Sequence, residues 1–187
     1  MAELLERSGD LTWLDTDAGH LMLLPANLRS HWSGADPPRD GRFIHAKFRW
    51  NQPDDPASDY DRACDVDDYV GILQVGSGKG IVLGQDPLPA TCQALPNGGL
   101  LIARLYTSEI GTPSKLPLPL PNLDWTTVGT VQYDGSPLVL FDTTDGGDEE
   151  PVFPSLPITL AAGEYMVEHA QFKTSELNLW LVRLTRT

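Results

Sequence analysis

Val70-Gly71-Ile72-Leu73-Gln74, followed by Gly78-Lys79-Gly80-Ile81-Val82-Leu83-Gly84, is the stretch whose reading decides the fold of this 187-residue chain. Both runs are short, apolar and rich in β-branched residues, which suit a pleated surface better than a helix. Between them lie glycines that reach the positive φ a tight turn needs. The two runs read as a β-hairpin. Val128-Gly129-Thr130-Val131-Gln132, then Asp134-Gly135-Ser136-Pro137-Leu138-Val139-Leu140-Phe141, follow the same plan and predict a second hairpin. Asp17-Ala18-Gly19-His20-Leu21-Met22-Leu23-Leu24 is a third apolar strand entered from a glycine turn.

The parallel continues outward. Leu95-Pro96-Asn97-Gly98 precedes a strand over 99–105, and Leu160-Ala161-Ala162-Gly163 precedes one over 164–168. Residues 66–108 and 124–187 therefore read as two copies of a hairpin, loop, turn and strand unit. They are joined by a proline-rich connector at 112–121, Thr112-Pro113-Ser114-Lys115-Leu116-Pro117-Leu118-Pro119-Leu120-Pro121. Its prolines hold it extended, and its leucines are expected to lie along the core. The final run, Leu177 to Leu184, is apolar on both faces, the pattern of a central strand. Helix is minor: a short one is expected at Pro25–Trp32, and another at Asp59–Cys64 capped by Ser58. The expected fold is mainly β with a few short helices. The two repeated hairpin-plus-strand units pack as a single compact β-rich protein, one domain over 1–187.

An apolar fraction of 41% is enough for a packed interior. With 13 Lys and Arg against 26 Asp and Glu, the formal charge is −13. Such a chain repels nucleic acid and anionic lipid, so neither is an expected partner. Cys64 and Cys92 are the only cysteines and have no metal-ligand spacing, which suits a reducing compartment. The chain has no apolar run of signal-peptide or membrane-spanning length. A cytoplasmic location is expected.

No nucleophile elbow, zinc-protease helix or phosphate loop occurs, and no cofactor is expected. His20, His31, His45 and His169 fall on different predicted elements. The dense feature is acidic: Asp54, Asp55, Asp59, Asp61, Asp65, Asp67 and Asp68 crowd a segment whose only base is Arg62. It reads in three ways: a solvated face, a calcium loop lacking its turn glycine, or a docking surface for a basic partner. Tyr60 and Tyr69 are candidate aromatic anchors in the docking case, and core residues otherwise. Trp13, Trp125 and Trp180 are expected in the core. A second acidic stretch, Asp142, Asp145, Asp148, Glu149 and Glu150, reads as an exposed loop. Arg42-Phe43-Ile44-His45-Ala46-Lys47-Phe48-Arg49-Trp50 alternates bases and aromatics. In so acidic a chain its bases are expected to pair with neighbouring aspartates.

Trp13, Gly19-His20-Leu21-Met22-Leu23-Leu24-Pro25 and Trp32-Ser33-Gly34 resemble the opening of the immunity protein 21 family. Asp59 to Gly71, running on to Val82-Leu83-Gly84-Gln85-Asp86-Pro87-Leu88-Pro89, resembles its central signature. Leu138-Val139-Leu140-Phe141-Asp142 and Ala162-Gly163-Glu164-Tyr165 are similar to its C-terminal pattern. The resemblance implies a β-rich, non-enzymatic immunity protein of a bacterial polymorphic-toxin system, which binds and neutralises a cognate protein toxin. It carries over no catalytic residue. If the toxin is a basic nuclease, the Asp54–Asp68 segment with Tyr60 and Tyr69 is the candidate contact. Two readings compete: a metal-assisted hydrolase using the same carboxylates, and a small-ligand-binding β-module with a closed, aromatic-lined pocket.

Overall fold

The computed structural model describes residues 11–16, 19–50, 55–84, 86–108, 111–147 and 151–187. Ten strands form two five-stranded antiparallel sheets. The first sheet holds β1 (Leu21–Pro25), β2 (Val70–Val75), β3 (Gly78–Leu83), β7 (Leu138–Asp142) and β8 (Leu156–Ile158), in the order β2-β3-β1-β7-β8. The second holds β4 (Ala90–Ala94), β5 (Leu100–Ser108), β6 (Thr126–Tyr133), β9 (Gly163–Lys173) and β10 (Leu177–Arg186), in the order β4-β5-β10-β9-β6. A 3-10 helix at Ala26–His31 and α1 (Asp59–Cys64) are the helices among the described residues. The mainly β expectation is met. No helix among the described residues is long and apolar enough to cross a membrane.

The sheets face each other across one core. Leu21, Leu23, Ile81, Leu83 and Leu140 of the first pack in one cluster with Leu100, Ile102, Tyr165, Val182 and Leu184 of the second. The other face of each sheet is covered as well. Over the first lie Leu28, Trp32 and Ala63, against Met22, Val82 and Phe141. Over the second lies the proline-rich connector. Leu116 is buried there, with Leu118 and Leu120 half-buried against the cluster of Leu101, Ala103, Leu179 and Leu181. The connector is fastened by the Trp13 Nε1–H, which donates to the Pro113 carbonyl at 2.8 Å. Covering both faces explains why the central strands read as continuous apolar runs. β10 is central as expected, paired with β5 and β9.

The first hairpin forms as read, with β2 and β3 in register from Val70 opposite Leu83 to Val75 opposite Gly78. Its turn uses Gly76 at a φ of +54°. The second does not form. β6 pairs with β9, while β7 pairs with β1 and β8 in the opposite sheet. Burial explains the difference. Every residue of Leu138–Asp142 is buried, which demands an interior strand, whereas only Val131 and Tyr133 of β6 are buried, which suits an edge. The linking turn also lacks a donor at Pro137, whose carbonyl instead accepts from Ala26 N–H at 2.8 Å. The two segments compared in sequence thus place their first two strands differently: β2 and β3 share a sheet, β6 and β7 do not.

Candidate functional site

α1 organises the acidic segment. Ser58 caps it reciprocally: its hydroxyl accepts from Asp61 N–H at 3.2 Å, and the Asp61 carboxylate accepts from Ser58 N–H at 2.8 Å. The cap forms as the sequence predicts. The same arrangement turns the helix carboxylates inward. Asp59 is fully buried and accepts from Ser33 N–H and Oγ at 2.8 and 3.0 Å. It also accepts from Arg42 Nη2 at 2.5 Å and Arg62 Nη1 at 2.8 Å. Asp61 is buried too, and its second oxygen takes the Trp50 N–H at 2.7 Å. Asp65 receives Lys47 N–H at 2.5 Å and Phe48 N–H at 2.7 Å.

These contacts revise the docking picture. Asp59, Tyr60 and Asp61 are withdrawn from solvent, and Asp65 is half-buried under the 42–50 loop. Of the acidic stretch, Asp55, Asp67 and Asp68 are exposed, and Asp54 lies outside the described residues. Asp67 and Asp68 follow α1, on the way into β2. Tyr60 packs edge-on against Trp50 and His20, at 5.5 and 6.1 Å between ring centroids. Tyr69 is half-buried and stacks on Trp180 at 4.3 Å. Trp13, Trp125 and Trp180 are half-buried in packing contacts, while Trp32 is the fully buried tryptophan. The pairing of Arg42 with Asp59 is as expected from the sequence.

The second acidic stretch is also corrected. Asp142 and Asp145 are buried. Asp142 takes the Thr144 N–H and hydroxyl at 3.0 and 2.8 Å, and Asp145 takes Val152 N–H at 3.1 Å. Carboxylates here close a turn that would otherwise leave backbone donors unpaired. Asp148, Glu149 and Glu150 lie outside the described residues.

The residue that sequence reading missed is Arg104, fully buried on β5. Nη1 donates to the Leu83 and Gly84 carbonyls at 3.1 and 2.5 Å. Nη2 donates to those of Gly19, Asp86 and Leu88 at 2.7, 2.6 and 3.2 Å. One side chain of the second sheet thereby holds the end of β3, the entry to β1 and the 86–88 loop. Its signal was available. Arg104 shares strand parity with Leu100 and Ile102, the face that packs between the sheets.

A Cys–His pair adjoins it. Cys64 Sγ lies 3.9 Å from His20 Nδ1. Burial pushes the Cys64 thiol up to about 11, and burial together with the Arg104 charge pulls the His20 imidazole down to about 4. A thiolate–imidazolium nucleophile needs the opposite shifts. The pair is packed in its neutral form. Iodoacetamide labelling of Cys64 at pH 8 is therefore expected to run about 100-fold slower in the folded protein than in urea, the thiolate fraction scaling with that shift. Peptide mapping over time checks it, and equal rates would refute it.

His20 also sets a pH dependence. Its folded imidazole stays neutral between about 4 and the ordinary 6.5, where the unfolded chain has already taken up a proton. The unfolded state binds more protons in that window. The stabilisation is complete above 6.5 and is lost as pH falls toward 4, a loss on the order of 3 kcal/mol. In urea titrations at pH 7 and pH 4.5, His20→Gln should show a smaller loss than the wild type. Equal losses would remove His20 from the account.

Among the described residues no group of three His, Cys, Asp or Glu is placed to hold a metal ion. Asp59 and Asp61 are instead satisfied by protein donors. One cavity is an open groove of about 310 Å³ between the 42–50 loop and β2, lined by His45, Arg62, Val66, Ile72 and Leu73 among others. Another is about 70 Å³, beside Trp32 and Arg42. Neither is the closed, aromatic-lined pocket that a small-ligand module calls for.

The sequence matches the family described as immunity protein 21 over residues 12–178, which takes in both sheets up to the start of β10. The chain belongs to the immunity protein 21 family. No curated protein and no solved structure matches it. Membership gives this immunity protein a protective role in general terms. It also places α1, the 42–50 loop and the Arg104 clamp inside the matched region.

Proposed function

We propose that this immunity protein binds a cognate bacterial toxin domain in the cytoplasm and neutralises it by direct contact, with no catalytic step or cofactor of its own. The observation that carries the reading is the family match over residues 12–178. An interface of ordinary size, roughly 1,600 Å² in total, is sufficient for specific inhibition. A net charge of −13 draws a basic, nuclease-like toxin from a distance and speeds encounter. Among the described residues, Asp55, Asp67 and Asp68 are the exposed members of the acidic stretch and are available for contact; Asp59 and Asp61 act from within, as supports. The two segments at 66–108 and 124–187 belong, on this reading, to a single binding domain.

Co-expression with the toxin encoded beside it tests the proposal. Growth is expected to be restored, and the two proteins to purify together. Continued toxicity with both proteins expressed, or failure to bind, overturns it.

A further inference from the structure

We infer that the 42–50 loop is the adhesive surface of this protein, and that it seats against an apolar pocket bordered by carboxylates on the toxin domain. This rests on the toxin-binding reading above. Five large apolar side chains are exposed among the described residues, and three of them, Phe43, Phe48 and Trp50, lie on this loop. Their exposures are 78%, 41% and 62%. Aromatic groups gathered on one segment, flanked by bases, have the composition of interface anchors.

Charge distinguishes the partner. Arg42 and Arg62, at the base of the loop, both engage Asp59. Lys47 and Arg49, interleaved with the aromatics, make no carboxylate contact among the described residues. Two such cations in a chain of net charge −13 suit carboxylates brought by another molecule.

The loop is also held in place. Asp65 fixes the amides of Lys47 and Phe48, Asp61 fixes that of Trp50, Asp59 holds Arg42, and Ile44 is buried. A backbone fixed in advance loses little freedom on binding, which converts more of the contact into affinity. The open groove beside His45 and Leu73 gives the toxin a recess for a side chain of its own. The acidic helix thus works from beneath the contact surface.

The test is the Kd of the full chain for the toxin domain encoded beside it, by calorimetry. Phe43→Ser with Trp50→Ser should weaken binding by about 100-fold. Lys47→Glu with Arg49→Glu should weaken it by about tenfold. Tyr106→Ser with Val152→Ser, exposed elsewhere, should leave it within about twofold. Thermal midpoints accompany each measurement because Trp50 touches Tyr60; should the aromatic pair fail to fold, the Lys47 and Arg49 variant decides alone. A toxin bound equally well by the wild type and both loop variants overturns the loop and leaves toxin binding standing. No binding by the wild type overturns both. Loop-dependent binding of a single-stranded oligonucleotide in place of the toxin overturns the assignment of partner.

Discussion

Replacing Arg104 with methionine is expected to lower the unfolding free energy by about 3–5 kcal/mol, near the limit of what a single substitution does. Methionine fills most of the volume and carries no charge, so the net loss is that of the hydrogen bonds less the desolvation cost that the buried guanidinium no longer bears. Five carbonyls, those of Gly19, Leu83, Gly84, Asp86 and Leu88, would lose a donor in a place where Arg104 itself is fully buried. An unpaired buried acceptor costs on the order of 1–3 kcal/mol, and water entry recovers part of that. Arg104→Lys keeps the charge and has three donors on a single point, so it should fall between the two. Urea unfolding at pH 7 reads the effect. A methionine variant within about 1 kcal/mol of the wild type would show that the clamp contributes little.

Asp59→Ala is the second large effect, expected at about 2–4 kcal/mol. The carboxylate accepts from two guanidinium groups and from both donors of Ser33. Removal strands those donors. The cost stays below that of a fully interred ion pair because Arg42 and Arg62 keep 30% and 21% of their side-chain surface and can turn to water. The effect should also be local. With Arg42 released, the 42–50 loop loses one fastening, and trypsin should cut at Arg42, Lys47 and Arg49 faster than in the wild type at equal global stability. Destabilisation without faster loop cleavage would separate Asp59 from the loop.

Much of this arrangement was legible in the chain. Short β-branched runs around glycine predict the β2–β3 hairpin because its partners are close in sequence. Ser58 with Asp61 predicts the helix cap for the same reason. The leucines between prolines predict a strap that needs an apolar bed, which the outer face of the second sheet provides. What the chain concealed lies at long range. Asp59 meets Ser33 across 26 residues, and Arg104 meets Gly19 across 85. A row of aspartates looks the same in sequence whether its carboxylates face water or backbone amides.

By itself, then, the sequence determined a strand-built chain with apolar runs on both sides of its strands, a strongly acidic charge and a capped helix at 59–64, since composition, periodicity and turn chemistry are local. Only the tertiary structure decided that β6 and β7 part into opposite sheets and that Asp59 and Asp61 support a loop of exposed aromatics. Those outcomes depend on which distant surfaces meet, because a buried polar group must find a partner wherever the fold brings one.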